Sequence, residues 1–136
     1  MKISAKLIRN GDTISPERND DLDPGQADLV LAFGGRMVLE SPDVYDRLHA
    51  EYPNAEIVLC STSGEIFGTN VYDECLAVSA IDLERTRLRT VSVDIADQEN
   101  SLEAGRKLIS ELDPEGLSYV LVLSDGGKVN GSVLVR

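Results

Sequence analysis

Basic residues are scarce in this 136-residue chain: 13 Lys and Arg stand against 24 Asp and Glu, for a formal charge of −11. Binding to a phosphate backbone draws its affinity from Lys and Arg, so this balance argues against a nucleic-acid partner. It argues equally against an anionic membrane surface. Cysteine is nearly absent. The two present, Cys60 and Cys75, stand in apolar runs and read as buried, reduced thiols, which suits the cytoplasm. His49 is the only histidine, and no catalytic triad or metal-ligand cluster is visible around it. No apolar run reaches the roughly 18 residues of a membrane span. The stretch Met1 to Leu7 lacks the apolar core of a signal peptide. No glycine-rich nucleotide loop and no G-x-S-x-G elbow occurs. Internal repeats and low-complexity stretches are missing too.

What is present is ordinary for a globular domain: 42% hydrophobic and 27% charged residues, in a length that suggests one domain. Residues 2–8 alternate and read as a half-buried edge strand. Asn10-Gly11 marks a turn, and residues 10–28 read as a polar loop. Its acidic run, Asp20-Asp21-Leu22-Asp23, lacks the ligand alternation of a calcium loop and reads as a solvated face. Leu29 to Phe33 is continuously apolar, as expected of a central strand covered on both faces, and Gly34-Gly35 ends it. Ser41-Pro42 opens a helix whose face carries Val44, Tyr45, Leu48 and Tyr52. That helix is a crossover to the strand at 57, so the two strands are expected parallel.

Cys75 to Ile81 reads as a buried strand and Thr86 to Val93 as its antiparallel hairpin partner, with Arg85, Arg87 and Arg89 on one outer face. Asn100 and Glu103 resemble a capping box before the helical stripe of Leu102, Leu108, Ile109 and Leu112. Tyr119 to Leu123 reads as another central strand. Gly131 to Arg136 reads as the opening turns of a helix that has no stop signal. The expectation is a mixed, mainly parallel α/β sheet flanked by helices, with an antiparallel hairpin at 75–93. The domain is expected to be incomplete at residue 136; a short chain with a frayed end is the alternative.

The stretch with chemical character is Ile57 to Ile66. An apolar strand changes abruptly into Ser61-Thr62-Ser63-Gly64-Glu65. Hydroxyl residues bond to nearby backbone and form turns, and Gly64 adopts a positive φ without steric cost. Ligands in open α/β sheets bind at the carboxyl ends of strands. A polar turn with no ligand has the same pattern.

Cys60, Ser61, Thr62, Gly64, Glu65 and Ile66 match a run close to G-C-S-T-A-G-E-I that follows a strand in the FIST family. Ser124-Asp125-Gly126 and Asn130-Gly131-Ser132 match a second segment. The chain thus resembles the first part of the FIST N-terminal sensory domain over roughly residues 27–136. It departs from the family at Leu59, usually glycine, at Ser63, usually alanine, and at Gly127 and Val133. The resemblance implies an intracellular sensory module that binds a small ligand, such as an amino acid, and signals to a downstream domain or protein. Some members are haem proteins, although no cofactor is evident from the residues here. Oligomerisation is left open.

If the strands at 29, 57 and 119 run parallel, their polar ends share one edge. The candidate site is then Gly34, Gly35, Cys60, Ser61, Thr62, Ser63, Gly64, Glu65, Ser124, Asp125, Gly126 and Asn130. Glu65 or Asp125 would take an amino group, and the N–H groups opening the last helix a carboxylate. Asn130 or Ser132 would cap that helix. Two other readings compete: a non-catalytic protein-interaction module, and a cysteine enzyme using Cys60, which lacks a recognisable base.

Overall fold

The computed structural model describes the backbone of residues 1–136 and the side chains of all but residues 15–19. The chain falls into two compact units, Met1–Leu88 and Arg89–Arg136.

The first unit is built on a five-stranded sheet. Lys2–Arg9 (β1) turns at Asn10-Gly11 into Asp12–Asn19 (β2). Leu29–Gly35 (β3) leads through the short helices Arg36–Leu39 (α1) and Asp43–Glu51 (α2) into Glu56–Thr62 (β4). Glu65–Phe67 (β5) and Asn70–Tyr72 (β6) form a separate two-stranded hairpin, and Leu76–Asp82 (β7) returns to the main sheet. The order across that sheet is β2-β1-β7-β3-β4.

The α/β class with a mixed sheet is as expected, and β3 and β4 are parallel, Val30 opposite Ile57 and Gly35 opposite Thr62. Every other pairing in the sheet is antiparallel. The sheet is therefore mostly antiparallel rather than mainly parallel. The cause is the position of β7, which lies between β1 and β3 and pairs along its length with both. With both edges of β7 filled, no hairpin partner fits beside it. Thr86 to Val93 accordingly takes no strand conformation.

The N-terminal segment differs from its reading in two ways. β1 is an interior strand, not an edge, and Asp12–Asn19 is a strand rather than a loop. Asn10 and Gly11 have φ of 51° and 89°. Positive φ at both central residues is the geometry of the tight hairpin turn, so the chain folds straight back. β2 takes the outer position, where Pro16, opposite Lys6, leaves no interior ladder bond unmade.

The main core lies on one face of the sheet. Val30 and Ala32 of β3, Val78 and Ala80 of β7, Leu48 of α2 and Tyr52, which follows that helix, are almost fully buried there. Each fully buried Leu or Val side chain contributes about 1.5–3 kcal/mol relative to exposure. Val44 and Leu48 form the inward stripe of α2 and Tyr52 at its C-cap continues it, while Tyr45 is exposed and stacks on His49 at 5.8 Å between ring centroids. Leu29, Leu31 and Phe33 are half-buried, so β3 is fully covered on one face only. A second, smaller cluster of Leu7, Phe67 and Cys75 lies beneath the β5–β6 hairpin. β4 is at the sheet edge, and Ile57 to Cys60 are half-buried rather than buried.

The second unit contains Ser101–Ser110 (α3) and Gly131–Leu134 (α4). Asn100 caps α3 by accepting from the N–H groups of Leu102 and Glu103 at 2.9 and 3.1 Å. Glu103 pairs with Arg106 at 2.8 Å instead of reaching back to complete a box. Asn130 caps α4 through Val133 N–H at 3.2 Å, and its own N–H donates to Ser101 Oγ at 3.0 Å. A Cβ on Gly105 would fall 2.0 Å from the Leu134 carbonyl oxygen, so α3 and α4 meet only because that residue is glycine. Tyr119 to Leu123, expected as a central strand, is exposed and outside any ladder. Its own unit contains two helices and a 3-10 turn, with no strand to supply the backbone partners a ladder needs.

Candidate functional site

Close packing at the end of β3 sets the geometry. A Cβ on Gly34 would meet the Cys75 carbonyl oxygen and Leu76 Cδ1, each at 2.9 Å. The glycine thus admits the start of β7 next to the end of β3, with Gly34 opposite Leu76. Because β7 runs against β3, the residues just before it arrive at the same sheet edge as the ends of β3 and β4. Gly35, Thr62, Ser63, Gly64, Glu65, Asp73 and Glu74 there line a hollow of about 510 Å³.

Glu65 is the distinctive group of this hollow. Gly64, with φ of 150°, turns the chain from β4 into β5. Glu65 then opens β5 opposite Tyr72, and its side chain is 2% exposed. Thr62 Oγ1 donates to Glu65 Oε1 at 2.6 Å. The other oxygen, Oε2, is buried and lacks a hydrogen-bond partner among the described residues. An unmatched buried polar atom costs about 1–3 kcal/mol, and more when charged. Buried polar atoms are nearly always satisfied, so an orphan of this kind calls for a ligand, an ion or water.

Arg9 holds the rim without neutralising it. Its Nε donates to Cys75 Sγ at 3.0 Å and its Nη2 to the Asp73 carbonyl oxygen at 3.2 Å. The Cys75 thiol also donates to the Asp73 carbonyl oxygen at 3.3 Å. These bonds fix the backbone from Asp73 to Cys75 and leave the Asp73 and Glu74 carboxylates outside any ion pair among the described residues.

Of the residues expected at the site, Gly35, Thr62, Ser63, Gly64 and Glu65 line the hollow, and Gly34 shapes its wall from the buried side. Cys60 and Ser61 lie earlier on β4 and are not part of the lining. Ser124, Asp125, Gly126 and Asn130 belong to the second unit. There Asp125 accepts from Gly127 N–H at 2.9 Å in a local turn, and Asn130 caps α4. Of the N–H groups opening the last helix, expected to take a carboxylate, that of Val133 is already bound by Asn130. Asp73 and Glu74 were not legible as site residues. Their signal was an acidic pair directly before a buried strand, informative only once that strand is known to be antiparallel to β3.

The Cys60 thiol bonds to the Ser61 carbonyl oxygen at 3.8 Å, and no base contacts it among the described residues. His49 is exposed on α2, and the hollow is lined by carboxylates, hydroxyls and glycines. Those residues do not fit a haem, which needs an axial ligand within an apolar cleft. Among the described residues no group of three acidic, His or Cys side chains is placed to hold a metal ion. No helix is long and apolar enough to cross a membrane.

A polar, acidic hollow thus lies at the ends of the two parallel strands of a mixed α/β sheet. The FIST N domain family model matches residues 28–136, and the chain belongs to that family, whose members are sensory, signal-transduction domains and generally non-catalytic. No curated protein and no solved structure matches it.

Proposed function

We propose that this domain senses a small ligand bearing an ammonium group, held by Glu65 at the ends of β3 and β4, and passes the signal to a downstream domain or protein in the cytoplasm. An amino acid is the simplest ligand of that kind. One observation carries the reading: a glutamate 2% exposed, lining a hollow, with one carboxylate oxygen unpartnered among the described residues. An ammonium group would satisfy that oxygen and offset its buried charge.

The test is a thermal-shift and calorimetric screen of single amino acids and simple amines. A ligand at 100 times its Kd stabilises the folded state by about 2.7 kcal/mol. Saturable stabilisation that Glu65→Gln abolishes supports the reading, whereas stabilisation indifferent to that substitution removes Glu65 from the site. The interaction-module reading has one observation in its favour. Ile66 and Val71 face each other across the β5–β6 hairpin and are 77% and 71% exposed. If that hairpin is the working surface, Ile66→Ser with Val71→Ser abolishes partner capture and leaves small-ligand stabilisation intact.

A further inference from the structure

We propose that the hollow prefers organic dications, diamines and polyamines, over zwitterionic amino acids. The inference rests on the reading above that Glu65 receives an ammonium group.

Among the described residues the lining carries three carboxylates, Glu65, Asp73 and Glu74, and no Lys, Arg or His. Of the two hydroxyls among the described lining residues, that of Thr62 is already committed to Glu65 Oε1 at 2.6 Å, which leaves Ser63 as the one free side-chain donor there. A zwitterion would bring its own carboxylate into this company. It would find like charge nearby and few donors, and like charges brought together oppose binding. Arg9 keeps its charge, because the Cys75 thiol and the Asp73 carbonyl that it bonds to are neutral, but it lies outside the lining and one cation stands against three carboxylates.

The spread of the carboxylates selects the kind of cation. They do not converge closely enough to hold a metal ion, as no such group of three occurs among the described residues. Glu65 is buried at the floor, whereas Asp73 and Glu74 are exposed. A Cβ on Gly64 would lie 3.8 Å from Asp73 Oδ1, which places that carboxylate beside the turn leading to Glu65. Positive charges separated along a chain match this arrangement: one ammonium at Glu65, a second at the Asp73–Glu74 rim. A cavity of about 510 Å³ is within the range of small-ligand sites.

The experiment compares 1,4-diaminobutane, spermidine, ornithine and butylamine by calorimetry on the full chain at moderate salt. Ornithine differs from 1,4-diaminobutane only by its carboxylate. The diamine is expected to bind one-to-one and roughly tenfold or more tighter than ornithine, the scale of one charge-assisted contact. Asp73→Asn with Glu74→Gln is expected to weaken the diamine by a similar factor and leave butylamine unchanged. Both residues are exposed, so this variant keeps its fold even if Glu65→Gln does not. Ornithine binding as tightly as the diamine, with Glu65 still required, overturns the dication inference and spares the ammonium reading. No binding by any of the four amines overturns both. Diamine binding that ignores all three substitutions is adventitious attraction to an acidic surface and also overturns the inference.

Discussion

Replacing Glu65 by Gln tests whether its carboxylate serves the fold or waits for a ligand. The side chain is 2% exposed, and among the described residues only one of its oxygens is bonded, by Thr62 Oγ1 at 2.6 Å. In the variant the amide oxygen keeps the Thr62 bond and the amide nitrogen takes the place of Oε2. A buried negative charge is thereby exchanged for a neutral group of the same shape. The unsatisfied carboxylate costs about 1–3 kcal/mol, so the unliganded variant should be as stable as the parent or up to about 2 kcal/mol more stable. For a chain of this size that gain raises Tm by a few degrees, roughly 3–6 °C per kcal/mol. Thr62→Val provides the contrast. It removes the one hydrogen bond to the carboxylate and should cost about 1.5–3 kcal/mol. Urea unfolding followed by circular dichroism measures both. A loss of more than about 1 kcal/mol in Glu65→Gln would refute the reasoning, because the carboxylate would then be stabilising the folded chain.

Further substitutions probe the elements that frame the site. Gly64→Ala forces a side chain onto φ of 150° and should cost about 1–3 kcal/mol, seen as a lower urea midpoint and as altered amide shifts from Glu65 to Tyr72. In the second unit, Gly105→Ala places a Cβ where the Leu134 carbonyl oxygen lies, so amide exchange in residues 131–135 should accelerate while the β3–β4 ladder is unaffected. Burial, and then the neighbouring Glu51, pushes the Tyr52 phenol well above its ordinary value of about 10. Its folded-state value is raised, so the neutral phenol stabilises the fold below the unfolded-state value, and that stability is lost as pH rises above about 10. An absorbance titration near the tyrosinate band should show one late phase that Tyr52→Phe removes; its persistence in that variant rejects the assignment.

Local signals gave reliable accounts where they were self-contained. Asn10-Gly11 is a turn because positive φ is needed at both positions, and Asn100 caps α3 because its side chain reaches the orphan N–H groups beside it. The apolar runs at 29 and 57 with an amphipathic helix between them could only be a parallel crossover. Glu65 stood out through its hydroxyl-rich turn and glycine. Strand adjacency is another matter. A strand has two edges, and which segments occupy them is a competition across the whole chain. Cys75 to Ile81 and Thr86 to Val93 look like a hairpin when read alone, yet β1 and β3 take both edges of β7. That outcome reverses β7 against β3 and brings Asp73 and Glu74 to the hollow, where no local pattern would have put them. The burial of Glu65 has the same origin: its charge is evident in the sequence, but its separation from water comes from the β5–β6 hairpin folding it inward.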